Sequence, residues 1–124
     1  MTARGNEAQA GPELLVLARW EETAGWLLEH SGRWPRSQRF TLTRRVQDHA
    51  LEILDQLVVA RYRPRERAAV LADVNLRLER LRFLLRLARK TNATSRKAFE
   101  SAMRRIDEAG RMIHGWRTAI GGRR

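Results

Sequence analysis

Residues 71–90, LADVNLRLERLRFLLRLARK, decide the fold. Leu71, Val74, Leu78, Leu81, Leu85 and Ala88 repeat at alternating steps of three and four. That is a heptad seam, the pattern of near-parallel helix packing with a slight supercoil. At about 100° per residue, Leu76, Phe83 and Leu87 fall nearly opposite the seam, with Leu84 between. Arginines are threaded through the rest. Arg82, Arg86 and Arg89 follow one border of the seam, and Arg77 and Arg80 follow the other.

Three more amphipathic segments surround this one. Pro12 suits the first position of a helix that runs to about His30, with Leu14, Leu17, Trp20, Ala24, Leu27 and Ser31 as its stripe. Leu15, Trp26 and Leu28 widen that stripe, and Gly32 and Pro35 end the helix. A second helix starts near Ser37 or Thr41 and continues to Tyr62. Its seam is Leu42, Val46, Ala50, Ile53, Leu57 and Ala60, and a second row holds Leu51, Leu54, Val58 and Tyr62. Pro64 breaks the pattern, and the heptad helix starts near Arg65. After TNATS (91–95), where Thr94 or Ser95 is placed to cap, a fourth helix carries Phe99, Ala102, Ile106, Ala109, Ile113, Trp116 and Ile120. No segment alternates as a strand would. The expected fold is all-α, an antiparallel (up-down) four-helix bundle over residues 12–120. A disordered segment, 1–11, is expected before it and a frayed tail, 121–124, after it.

The outer row of the third helix has no place in a lone bundle, because a contiguous exposed apolar patch is unusual. Leu76, Phe83, Leu84 and Leu87 are therefore expected at a contact between subunits of a homo-oligomer. The competing expectation is a central third helix covered by the first helix and the 33–40 linker.

Charge is the strongest compositional signal. The 124 residues carry 25 Lys and Arg against 14 Asp and Glu, a net of +11. Only Lys90 and Lys97 are lysines. Residues 1–31 hold two basic and five acidic side chains, whereas residues 32–97 hold seventeen and six. A field of this sign attracts polyanions, and arginine adds planar, bidentate phosphate contacts. The arginine borders read either as a solvated face paired with Glu79, Asp73 or acids on the fourth helix, or as a ladder for phosphates or an acidic partner.

Catalysis is not expected. His30, His49 and His114 lie on three helices without metal-ligand spacing, and adjacent Asp48 and His49 diverge on a helix. His49 reads as a core-edge histidine and His114 as one that packs or caps. Cysteine is absent, so no disulfide or cysteine-ligated metal is expected. No metal or cofactor is expected. No run reaches membrane-spanning length and the N-terminal stretch lacks an apolar signal region, so no membrane partner is expected and the cytoplasm is the expected location. Aromatics interleave with arginine at 33–40, 60–65 and 110–117, an arrangement able to stack unpaired bases. Of these, Trp116 and Phe40 are expected in the core; Trp20 and Trp26 suit packing or a subunit contact.

The order RWPRSQRFTLTRRV (33–46), ALEILDQLVVARY (50–62), LERLRFLLRLA (78–88) and IDEAGRMIHGW (106–116) resembles the accessory variability determinant (Avd) proteins of diversity-generating retroelements. These sit within a wider group of four-helix proteins that includes those encoded by intervening sequences of bacterial ribosomal RNA genes. LRFLLRL (81–87) and GRMIHGW (110–116) carry the resemblance most strongly. It implies a ring-shaped homopentamer of four-helix protomers that associates with a reverse transcriptase and helps it copy template RNA into cDNA during mutagenic retrohoming. By position, it implies Arg82 and Arg86 as the first carriers of the polymerase or nucleic-acid contact, then Arg111; Arg77, Arg80, Arg89 and Lys90 are further candidates from the arginine-bordered helix itself. His114 stands where the family commonly has a small residue. A general RNA-binding bundle of the intervening-sequence type, without a polymerase partner, is the alternative, and a purely structural oligomer is a third.

Overall fold

The computed structural model describes residues 11–122. Among them the chain is all-helical. The helices are α1 (Pro12–Gly32), α2 (Arg44–Tyr62), α3 (Arg67–Lys90) and α4 (Arg96–Gly122). A 3-10 turn (Arg36–Gln38) and a π turn (Arg39–Thr43) lead into α2. Disorder expected for residues 1–10 lies outside the described residues. So do Arg123 and Arg124 of the tail, while Gly121 and Gly122 lie in the last turn of α4.

The seams build the core. Val46, Ala50, Ile53, Leu57 and Ala60 of α2 are buried, as are all six heptad positions of α3. Ala102, Ile106, Ala109, Ile113 and Trp116 close it from α4. Each fully buried Leu or Ile contributes about 1.5–3 kcal/mol. On α1 the stripe holds from Trp20 onward, but Val16 is buried where Leu14 and Leu17 were expected, and those two are only half-buried. Thr23 is also buried on this face. The indole Nε1 of Trp20 donates to the Ala50 carbonyl at 2.9 Å, so the polar atom of the largest fully buried side chain is satisfied across α1 and α2.

Each helix packs on the next in sequence, and α1 packs on α4. On the α1–α2 side, Thr43 Oγ1 donates to the Ser31 carbonyl (3.3 Å), and Gln47 Nε2 donates to the Leu28 carbonyl (3.3 Å) and to Ser31 Oγ (3.2 Å). These bonds tie α2 to the C-terminal turns of α1. At the α2–α3 corner Arg67 performs the same service. Its guanidinium donates to the carbonyls of Ala60 (2.6 Å) and Arg61 (2.9 Å) and lies 5.4 Å from the Trp116 ring. Asn92, at φ 61°, ends α3 in a left-handed residue. Asn92 N–H donates to the Arg89 carbonyl and Ala93 N–H to that of Ala88, a Schellman stop. Ser95, one of the two expected caps, accepts from the Ala98 N–H at 3.1 Å.

One core assignment is overturned. Phe40 is 77% exposed, because the wide π turn sends Leu42 and Thr43 inward and leaves Phe40 outside. Trp116 is buried. Trp26 is half-buried, stacked on His30, with the Arg105 guanidinium 4.9 Å from its ring centre. No helix among the described residues is long and apolar enough to cross a membrane.

Candidate functional site

The outer surface of α3 meets α2 along an open groove of about 450 Å³. Phe83, Leu84 and Leu87 form its apolar floor, and Arg45, Arg80, Arg86 and Lys90 surround it. Helical spacing explains the combination. Phe83 and Leu87 share one line down α3, and Arg80, Arg86 and Lys90 sit within a turn of them. Phe83 is 63% exposed, with the Arg86 guanidinium 4.9 Å from its ring centre. None of the four cations pairs with a carboxylate among the described residues. The groove therefore offers apolar area and uncompensated positive charge together.

His49 closes the α2 side of the groove and is buried. Arg77 donates to its Nδ1 at 3.1 Å and to Gln56 Oε1 at 3.2 Å. A guanidinium can only donate, so Nδ1 is an acceptor and the ring proton sits on Nε2. Burial holds the His49 pKa below the usual histidine value. Arg77, Arg45 and Arg80 push in the same direction and outweigh the opposing effect of Asp48. His49 is a neutral strut that positions Arg77.

The second basic surface lies on α3 and α4. Arg82 is largely covered, 19% exposed, and is held in the chain by Asp107 (3.0 Å) and Glu79 (3.9 Å). Gly110 makes room for it, since a Cβ there would come within 3.1 Å of the Arg82 guanidinium. A cleft of about 620 Å³ lies along this latch, lined by Arg82, Asp107, Arg111 and His114 among others. Arg104 and Arg105 lie beside Arg111 in the adjoining depression. Glu108 of that depression pairs with Arg19 of α1 at 3.0 Å.

The cations singled out from sequence thus separate by their surroundings. Arg80, Arg86 and Lys90 converge on the groove; Arg111 stands on the α4 surface; Arg77 and Arg82 are tied to partners of their own chain. Arg89 reaches Asn92 at 3.4 Å. Of the outer apolar row, Leu76, Phe83 and Leu87 are exposed, whereas Leu84 is half-buried against the core. His114, expected to pack or cap, is exposed and lines the cleft between α3 and α4. Arg45, Gln56, Arg104 and Arg105 were not singled out. The i, i+4 spacing of Arg45 and His49 was the available signal for the first. Among the described residues no cluster of His, Cys, Asp or Glu could hold a metal ion.

Among curated proteins, none matches the chain. The model of the bAvd-like family, in contrast, matches residues 14–120, a span that runs from the first turn of α1 to the last turn of α4 and takes in both basic surfaces. With nearly its whole length matched, the chain belongs to the bAvd-like family, the group its helix order and its LRFLLRL and GRMIHGW segments resemble.

Proposed function

We propose that the protein is a non-enzymatic accessory factor of a diversity-generating retroelement, acting in the cytoplasm. It is an up-down four-helix bundle assembled as a ring-shaped homopentamer. It binds template RNA and cDNA through its cationic surfaces and docks on an acidic face of the reverse transcriptase. Family membership over residues 14–120 carries this reading. The topology is supported by the order of contacts: Trp20 meets Ala50 while Ser31 meets Thr43, and Arg67 meets Trp116 while Arg82 meets Asp107. Partners rise along one helix as they fall along the other.

The mechanism is electrostatic positioning. Cations on a rigid bundle hold the phosphate backbone without reading bases, and counterion release supplies the affinity. Arg86 and Arg111 lead this role, with Arg89 beside them. Arg82 joins when a phosphate displaces Asp107 from its guanidinium. Arg77 contributes from behind, through His49 and Gln56.

The test is RNA binding by fluorescence anisotropy across a salt titration, beside co-purification with the polymerase. The variant Arg86→Ala/Arg111→Ala is expected to keep its circular dichroism and to lose polymerase co-purification. Its log–log salt slope is expected to shrink by about 1.4, at ~0.7 per single-strand contact. Wild-type protein that binds RNA but never the polymerase would favour the intervening-sequence type of bundle.

A further inference from the structure

The outward face of α3 is a second heptad line: Leu76, Arg80, Phe83, Leu87 and Lys90 step by four, three, four and three. All five are exposed. Helix α2 carries its own outward line. Asp48, Leu51, Asp55, Val58 and Tyr62 step by three, four, three and four, and all five are exposed. Each line runs about 21 Å along its helix. Each mixes exposed apolar side chains with charge of one sign, cationic on α3 and acidic on α2. Asp55 has no ion-pair partner among the described residues, and Asp48 has only a 4.0 Å contact with Arg44.

The two lines cannot meet within one copy. His49 and Gln56 mark the flank of α2 that faces α3, through their bonds to Arg77. Leu51 and Val58 lie about half a turn round the helix from them. Nor does either line suit itself. Pairing α3 with α3 would gather two copies of Arg80 and of Lys90 in one contact, and pairing α2 with α2 would gather two copies of Asp48 and of Asp55. Like charges across an interface cost several kcal/mol. Two equal-length heptad lines of opposite sign, on different faces of one molecule, are suited to a head-to-tail contact.

We infer that the acidic-apolar line of α2 in one copy packs along the cationic-apolar line of α3 in the next, giving a heterologous interface between subunits. The inference rests on the proposed homo-oligomer and names the surfaces that build it. The occupant of the α3 groove is a second copy of this chain. Arg86, on the α4-ward border of the line, stays at the edge of the contact and open to a polyanion.

A complementation experiment tests this, with mass read by light scattering. Val58→Glu breaks the α2 line and Phe83→Glu breaks the α3 line, both at exposed positions that leave the core intact. Wild-type protein is expected to be larger than one subunit, and each variant alone is expected to be a monomer. Mixed, the two variants are expected to form a one-to-one dimer, because each keeps the surface the other lacks. If Val58→Glu assembles like wild type while Phe83→Glu does not, α3 pairs with something other than α2, and the inference is overturned while the oligomer stands. Monomeric wild type overturns both. Should circular dichroism show Val58→Glu unfolded, Asp55→Lys takes its place with the same expected outcome.

Discussion

At the scale of single residues, folding lowers the pKa of His49. Its folded pKa lies below the ordinary value of 6.5. The unfolded chain therefore binds more protons near and below that pH, and stability rises with pH through this window. The contribution is complete above about pH 6.5 and is lost as pH falls through the folded value. Thermal melts of wild type are expected to drop between pH 7.5 and pH 5 by more than those of His49→Gln. Glutamine can accept from Arg77 but does not titrate. Equal pH dependence in the two proteins would remove His49 from this role. Trp20 gives a second residue-scale expectation. Trp20→Phe abandons the bond to the Ala50 carbonyl and leaves space in a closed core, at a cost of about 1–3 kcal/mol by denaturant unfolding.

At the scale of elements, the junctions matter more than the helices they join. Asn92 adopts φ 61° to stop α3, a conformation costing a β-branched residue roughly 1–2 kcal/mol. Asn92→Val is expected to lower stability by about that amount in chemical denaturation, and Asn92→Gly to leave it unchanged or slightly raised. The Arg82–Asp107 latch across α3 and α4 is half-exposed on its acidic side, so its worth to stability is small, about 0.2–1 kcal/mol. Its larger effect is on charge. Asp107→Asn is expected to free Arg82 and tighten RNA binding severalfold at low salt, read by anisotropy. The seams of α2, α3 and α4 were legible because apolar residues recur every three or four positions and the bundle buries that face. Phe40 was not legible, since a π turn obeys a different periodicity from the helix that follows it. The first turns of α1 were read one residue out of place because Leu14, Leu15, Val16 and Leu17 are all apolar and spacing cannot choose among them.

At the scale of the whole molecule, the candidate site was legible as charge but not as geometry. Net charge and the arginine borders could be counted from the sequence. The partners that hold Arg77 and Arg82 could not, because Gln56 and Asp107 lie 21 and 25 residues away and are brought close only by packing. The same packing sorts seven candidate cations into those held by the chain and those open to solvent. A polyanion bound by the open set should show a salt slope set by phosphate number, not base identity. Poly(U) and poly(A) of equal length are expected to give equal slopes, and a strong difference would point to base stacking on an exposed ring such as Phe40.

The groove has a built-in reporter. Its end is marked by Lys90, and the only other lysine, Lys97, sits exposed on α4. An acylating reagent thus meets two side-chain amines, one at the groove and one away from it. Peptide mass spectrometry of their relative labelling would read how often the groove is covered, with Lys97 as the internal standard and no engineered probe.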